Sequence, residues 1–265
     1  MVNYGAAFKL PFSNWGRIGI FFLLALLTSA VSEVFSMFWE LGRRVPAALG
    51  LQQLLPMFFL IVVMVFFSLI TTGYTLRIVG NASHGKNVLP SFEKFFSMVM
   101  PGLKYSLAMI IYAIPFLVVG VVAFVLLFAG STALSSGITI GGAMLLIPIV
   151  LVWLVFAAYV LPMLMAHYAH ENRFAAFFEL RKVLKYAFTS AYFVPWLAAF
   201  GYGIALSIPY FIIILPISVM SVVTPLAALL TAPVSALYTV ILTPTLMSLY
   251  GQAYHDVTSG RKGKK

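Results

Sequence analysis

Six apolar stretches, each long enough to cross a bilayer, leave this chain little choice but a bundle of membrane-spanning helices. They run from about Trp15 to Trp39, Leu54 to Arg77, Leu103 to Phe128, Gly142 to His167, Tyr192 to Leu215 and Met220 to Tyr250. A hydrocarbon core of roughly 30 Å takes about 20 helical residues to cross, and inside it every backbone polar group must be satisfied within the segment. A chain that is 63% hydrophobic and only 8% charged carries too much apolar surface for a soluble domain of its length. The expected fold is all-α: a polytopic membrane protein with six transmembrane helices arranged as three hairpins. One domain is expected over 1–255, with a basic C-terminal tail at 256–265. The apolar run after Arg17 is read as the first span and not as a cleaved leader, because it continues to Trp39.

Orientation follows from where the basic residues fall. Of the 16 Lys and Arg, only Arg43 and Arg44 lie in a loop on one side; all the others, from Lys9 to Lys265, lie on the opposite side or at span ends facing it. Positive loops stay in the cytoplasm, so both termini are expected inside a cell (inner or plasma) membrane. The formal charge of +10 then points to anionic lipid headgroups at the bilayer surface as the partner, with no nucleic acid. The chain has no cysteine, which excludes disulfides, thiolate metal sites and cysteine nucleophiles. Asn81-Ala82-Ser83 matches a glycosylation acceptor but lies on the inside and is expected to be unmodified.

Short amphipathic segments precede the odd spans. After Pro90, Ser91 is placed to cap a helix on which Phe92, Phe95, Phe96 and Val99 share a face, before Pro101 and Gly102 turn the chain inward. At about ten residues it is too short to span, so it reads as an interfacial helix on the cytoplasmic side; the alternative is a surface helix packed on protein. Between Phe174 and Phe188 the design recurs, with Phe177, Leu180 and Leu184 on one side and Arg181, Lys182 and Lys185 on the other. Phe96, Leu103, Lys104, Tyr105 and Gly120 recur 81 residues later as Phe177, Leu184, Lys185, Tyr186 and Gly201, either as a true internal repeat or by chance among apolar helices. Lys94, Lys104, Arg181, Lys182 and Lys185 are the expected headgroup-binding residues.

The run Gly73-Tyr74-x-x-Arg77, Gly85-Lys86-x-x-Leu89-Pro90-x-Phe92, Gly102-Leu103-Lys104 and Tyr112-x-x-Pro115 resembles a family of archaeal and bacterial membrane proteins. That family is known only as domain of unknown function number four thousand and thirteen. Phe8-Lys9-Leu10-Pro11-Phe12 and Leu249-Tyr250-Gly251-Gln252-Ala253-Tyr254 are similar to its ends. The resemblance implies the membrane class and no chemistry.

Two polar stripes are candidate transport paths. Ser29, Glu33, Ser36 and Glu40 share one face of the first span, and a carboxylate in a membrane is costly enough to face protein or water. Thr231, Ser235, Thr239 and Thr243 recur every four residues in the last span, among Pro225, Pro233 and Pro244. Each stripe also has a structural reading: Glu40 pairing with Arg43 or Arg44, and small hydroxyl residues packing helices together. His167, His170 and Glu171 have ligand-like spacing, although basic residues at a helix C-terminus serve its dipole equally well, and no metal is expected. No nucleophile elbow, phosphate loop or paired carboxylates occur, so neither an enzyme nor a cofactor is expected. Two function classes follow: a permease- or channel-like protein for a small solute, ion or lipid, and a non-transporting scaffold or partner subunit that binds anionic lipid.

Overall fold

The computed structural model describes residues 1–44, 51–133 and 136–262, with only the backbone described at 40–44, 51–54, 123, 126–133, 136–143, 145–146, 222–223, 225 and 261–262. The pairing of Glu40 with Arg43 or Arg44, and Lys264 and Lys265 of the tail, lie outside the described residues and side chains.

The chain is an all-α, multi-span membrane protein. Its helices are α1 (Tyr4–Lys9), α2 (Trp15–Arg44), α3 (Leu51–Ser83), α4 (Val99–Ala133), α5 (Ser136–Val155), α6 (Leu161–Glu171), α7 (Leu180–Ala187), α8 (Ser190–Val223) and α9 (Thr231–Lys262). Six segments among the described residues are long and apolar enough to cross a membrane: Trp15–Trp39, Leu55–Ser83, Phe95–Val122, Ile147–Glu171, Ser190–Ser221 and Leu226–Gly260. The last begins later than the sequence suggested. Met220 belongs to α8, and Thr224, extended at φ −127 and ψ 93, breaks the chain before a 3-10 turn over Pro225–Leu230. Pro225 lacks the N–H that would have continued α8.

Helix α9 is the hub, packing on α2, α3 and α8, while α3 packs in turn on α4 and α6. Consecutive spans also touch, α2 on α3, α4 on α5 and α8 on α9. At about 1.5 Å per residue, α9 is roughly 48 Å long and must project well beyond a 30 Å hydrocarbon core. Buried side chains gather at one end of the bundle, where Tyr74, Ile78, Leu164, Phe177, Leu249 and Tyr254 are almost wholly enclosed. The start of the chain and the far part of α9 meet there: the Met1 amino group lies 2.7 Å from Asp256 Oδ1. Elsewhere Leu117 and Val121 of α4, Leu151 of α5, and Ile208, Ile212 and Leu215 of α8 are exposed, as side chains facing lipid tails would be.

Lipid is as apolar as leucine, so close packing and polar contacts must hold such helices together. Gly73 and Gly102 let backbones touch: a Cβ at Gly73 would lie 1.9 Å from the Met98 oxygen, and one at Gly102 2.1 Å from the Leu69 oxygen. Pro162 shows the polar contribution. Its ring cannot donate to the carbonyl of Ala158, and the chain widens to a π turn over Phe156–Val160. The freed Ala158 oxygen accepts from Trp196 Nε1 at 2.7 Å, and that of Tyr159 accepts from the Tyr192 hydroxyl at 2.7 Å. Two aromatic side chains of α8 thus repair the break in the fourth span.

The segment after α3 departs from expectation. No helix starts at Ser91; the chain is irregular to Lys94, makes a 3-10 turn over Phe95–Met98, and enters α4 directly. Phe92 is drawn away to stack on Tyr74, with ring centroids 4.3 Å apart. Leu89 and Pro90 are buried, and Asn81 Nδ2 holds the Val88 carbonyl at 3.1 Å. Pro101 sits in the first turn of α4, where its missing N–H costs nothing, so it does not turn the chain. The residues matched at a spacing of 81 differ in setting: Phe96 is 75% exposed and Phe177 is buried, and Lys104 lies within α4 whereas Lys185 lies in the last turn of the separate helix α7.

Candidate functional site

The two polar stripes meet. Thr231 Oγ1, at the first residue of α9, donates to Glu33 Oε1 at 2.6 Å, although 198 residues separate them. Ser235 pairs with the Tyr210 hydroxyl at 3.2 Å, and Ser207 of α8 with the Tyr238 hydroxyl of α9 at 2.9 Å, so each helix supplies one serine and one tyrosine. Thr239 donates to the Ser235 carbonyl of its own helix at 2.8 Å. Ser29 and Thr243 are half-buried and Ser36 is exposed. The hydroxyls of Thr231, Ser235 and Thr239 are engaged in bonding within and between helices, and Glu33 is held far from the terminal end of the bundle.

At that terminal end lies a denser polar cluster. His167, wholly buried on α6, is bonded at both ring nitrogens: Nδ1 to the Tyr254 hydroxyl at 2.8 Å and Nε2 to Glu179 Oε2 at 2.9 Å. An ionised carboxylate can only accept, so Nε2 carries the proton and Nδ1 accepts from Tyr254. Glu179 is also paired with Arg173 and, at 3.3 Å, with Lys182. Glu171 meets the same two cations at 3.4 and 3.6 Å. The hydrogen bond from His167 holds the Glu179 carboxyl below its ordinary range, with Lys182 and Arg173 acting in the same direction against partial burial. His170 turns elsewhere and stacks on His84, with centroids 4.4 Å apart. His167, His170 and Glu171 therefore do not converge, and no group of three or more His, Asp or Glu among the described residues is arranged to hold a metal.

This cluster docks α7. Helix α6 stops at Asn172, in the left-handed region at φ 52, and the chain returns through a 3-10 turn over Phe174–Phe178 that buries Phe177. Val183 and Ala187 of α7 are then fully buried against the bundle, and not Leu184 as the sequence pattern suggested. Arg181, Leu184, Lys185 and Phe188, at i, i+3, i+4 and i+7, form the outward face, with Phe188 75% exposed. Among the other expected headgroup contacts, Lys94 is exposed, Lys104 is half-buried and Lys182 is engaged by the two glutamates.

The family model described as a protein of unknown function, DUF4013, matches residues 57–215. The chain belongs to the DUF4013 family. Comparison with curated proteins and with solved structures finds no match. The DUF4013 region takes in most of α3, all of α4 to α7 and most of α8, and so contains His167, Glu179 and the outward face of α7, whereas Glu33, Thr231 and Tyr254 lie outside it.

Sequence reasoning missed Glu179, Tyr254 and the pairing of Glu33 with Thr231. Glu179 had a visible mark: it is an acid at the head of the basic Arg181-Lys182 run, where a helix N-terminus favours one.

Proposed function

We propose that this protein is a membrane scaffold or partner subunit, resident in a cell membrane with both termini cytoplasmic, whose terminal end engages anionic lipid headgroups. The outward face of α7 carries this reading. Arg181 and Lys185 alternate there with the exposed Leu184 and Phe188, a pattern suited to apolar side chains entering the acyl boundary while cations meet headgroups. The polar network beneath fixes α7 in that pose. The other reading, a permease or channel, draws on Glu33 and the hydroxyl stripe, and the bonds that Glu33, Thr231, Ser235 and Thr239 already make weigh against a continuous polar path.

Removing both charges, as Arg181→Gln with Lys185→Gln, is expected to weaken selection of phosphatidylglycerol over phosphatidylcholine by roughly 1 kcal/mol per charge, less at high salt. The measurement is lipid enrichment around the purified protein in mixed-lipid nanodiscs. Unchanged enrichment in the double variant would remove the basis of the proposal. Ion or proton flux through liposomes, scaling with protein and altered by Glu33→Gln, would transfer the assignment to the permease reading.

A further inference from the structure

A cleft of about 910 Å³ opens at the terminal end of the bundle, between the last turns of α3, the segment 84–98 and the end of α6. Small-molecule sites fall in the range of roughly 300–1,000 Å³. Arg17 of α2 and Arg77 of α3 both line it. The ion pairs among the described residues are made by Met1, His167, Arg173 and Lys182, so neither arginine has a carboxylate partner there. Arg17 Nη1 donates to the Leu89 carbonyl and Arg77 Nη2 to the Ser97 hydroxyl. Each contact anchors a guanidinium through one nitrogen and leaves the rest of its fork free for a ligand.

The remaining walls suit the same chemistry. Ser91 lines the cleft with a hydroxyl, whereas that of Ser97 is committed to the Lys94 carbonyl at 2.6 Å, and the stacked His84 and His170 form one side. His170 Nδ1 is buried without a hydrogen-bond partner. Ser97 and Pro101 bring in the amino end of α4, a 35-residue helix with no acid in its first turn, whose dipole favours an anion. Against these stands Glu93, exposed on the rim.

We infer that this cleft binds a phosphate monoester group. Two guanidinium forks with the Ser91 hydroxyl match a group that carries about −1.5 to −2 charge and three terminal acceptor oxygens, whereas a diester offers one charge and fewer oxygens. Arg17 stands at the start of the first span and Arg77 near the end of the second, so the cleft lies where the apolar spans end and a lipid phosphate can reach it. The inference deepens the headgroup reading by naming the group bound, and rests on that reading only for a lipid as its source.

The test uses the full chain in phosphatidylcholine nanodiscs doped equally with phosphatidate, a monoester, or phosphatidylglycerol, a diester, with bound lipid counted by native mass spectrometry. The expected result is one tightly retained phosphatidate per chain, at least tenfold preferred over phosphatidylglycerol. Arg77→Gln and Arg17→Gln should each cut that preference tenfold or more, Arg77→Lys should restore part of it, and the unfolding midpoint of each variant checks folding. Arg181→Gln with Lys185→Gln should leave it intact. Equal retention of the two lipids, or indifference to both arginines in folded protein, overturns the inference. If the α7 variant then still lowers enrichment of both lipids, the headgroup reading survives its loss; if neither lipid is enriched, both fail. Glycerol 3-phosphate binding in undoped nanodiscs, with the same dependence on Arg77, supports the monoester site and assigns it a soluble source.

Discussion

Gly73→Ala is expected to destabilise the protein by roughly 1–3 kcal/mol or more, the usual cost of overpacking, raised here because the obstacle is backbone. The new methyl would sit 1.9 Å from the Met98 oxygen and 2.7 Å from its carbon, and neither can rotate aside. Gly102→Ala should behave alike, since its Cβ would lie 2.1 Å from the Leu69 oxygen. Leu69 and Gly73 are one turn apart on α3, and Met98 and Gly102 one turn apart where the 3-10 turn runs into α4, so both clashes are relieved by the same separation of the two segments. The double variant should therefore cost less than the sum of the singles. Gly251→Ala makes a third case, with Ala82 Cβ at 2.5 Å and the Val79 oxygen at 2.6 Å. Gly120→Ala and Gly201→Ala, which meet nothing within 4 Å, serve as controls and should gain up to about 1 kcal/mol of helix preference. Thermal unfolding in one detergent reads all of these. A Gly73→Ala midpoint equal to that of Gly120→Ala would mean that the α3–α4 crossing is looser than described.

The spans were legible because length and hydropathy alone decide them, and lipid enforces the rule. What the pattern could not carry was partnership. Glu33 and Thr231 were each visible as polar positions on their own helices, yet nothing in a linear pattern pairs residues 198 apart. Spacing also misled where side chains have a stronger claim elsewhere. Phe92 shares a helical period with Phe95 and Phe96, but stacking on Tyr74 outweighs a helix turn at Ser91. On α7 the large Leu184 drew attention, whereas the buried positions are Val183 and Ala187, small enough for close docking. Arg17 and Arg77 were counted only as charges that set topology. Their shared cleft depends on the segment 84–98 folding back over α3, which rests on contacts such as Asn81 to Val88 and Ser248 to Asn87 that no local pattern announces.

His167→Ala should release α7 from the bundle. The substitution strands the Tyr254 hydroxyl, leaves Glu179 Oε2 with Lys182 as its remaining donor, and opens a void in a wholly buried site, at a combined cost of roughly 2–4 kcal/mol. Hydrogen exchange separates undocking from general loosening: amides of residues 174–187 should exchange much faster while those of α3 hold their rates. Uniform acceleration throughout would show that His167 supports the bundle as a whole and not α7 in particular. Glu179→Gln tests the same joint through pH. Its folded carboxyl titrates below the ordinary value of 4.5, so the stability it contributes is present in full above that value and declines as pH falls through the lowered folded value. The difference between the natural protein and Glu179→Gln should accordingly be large at neutral pH and vanish in acid. A difference that persists unchanged well below pH 4.5 would mean that the carboxylate's charge is not what holds α7 to His167, Arg173 and Lys182.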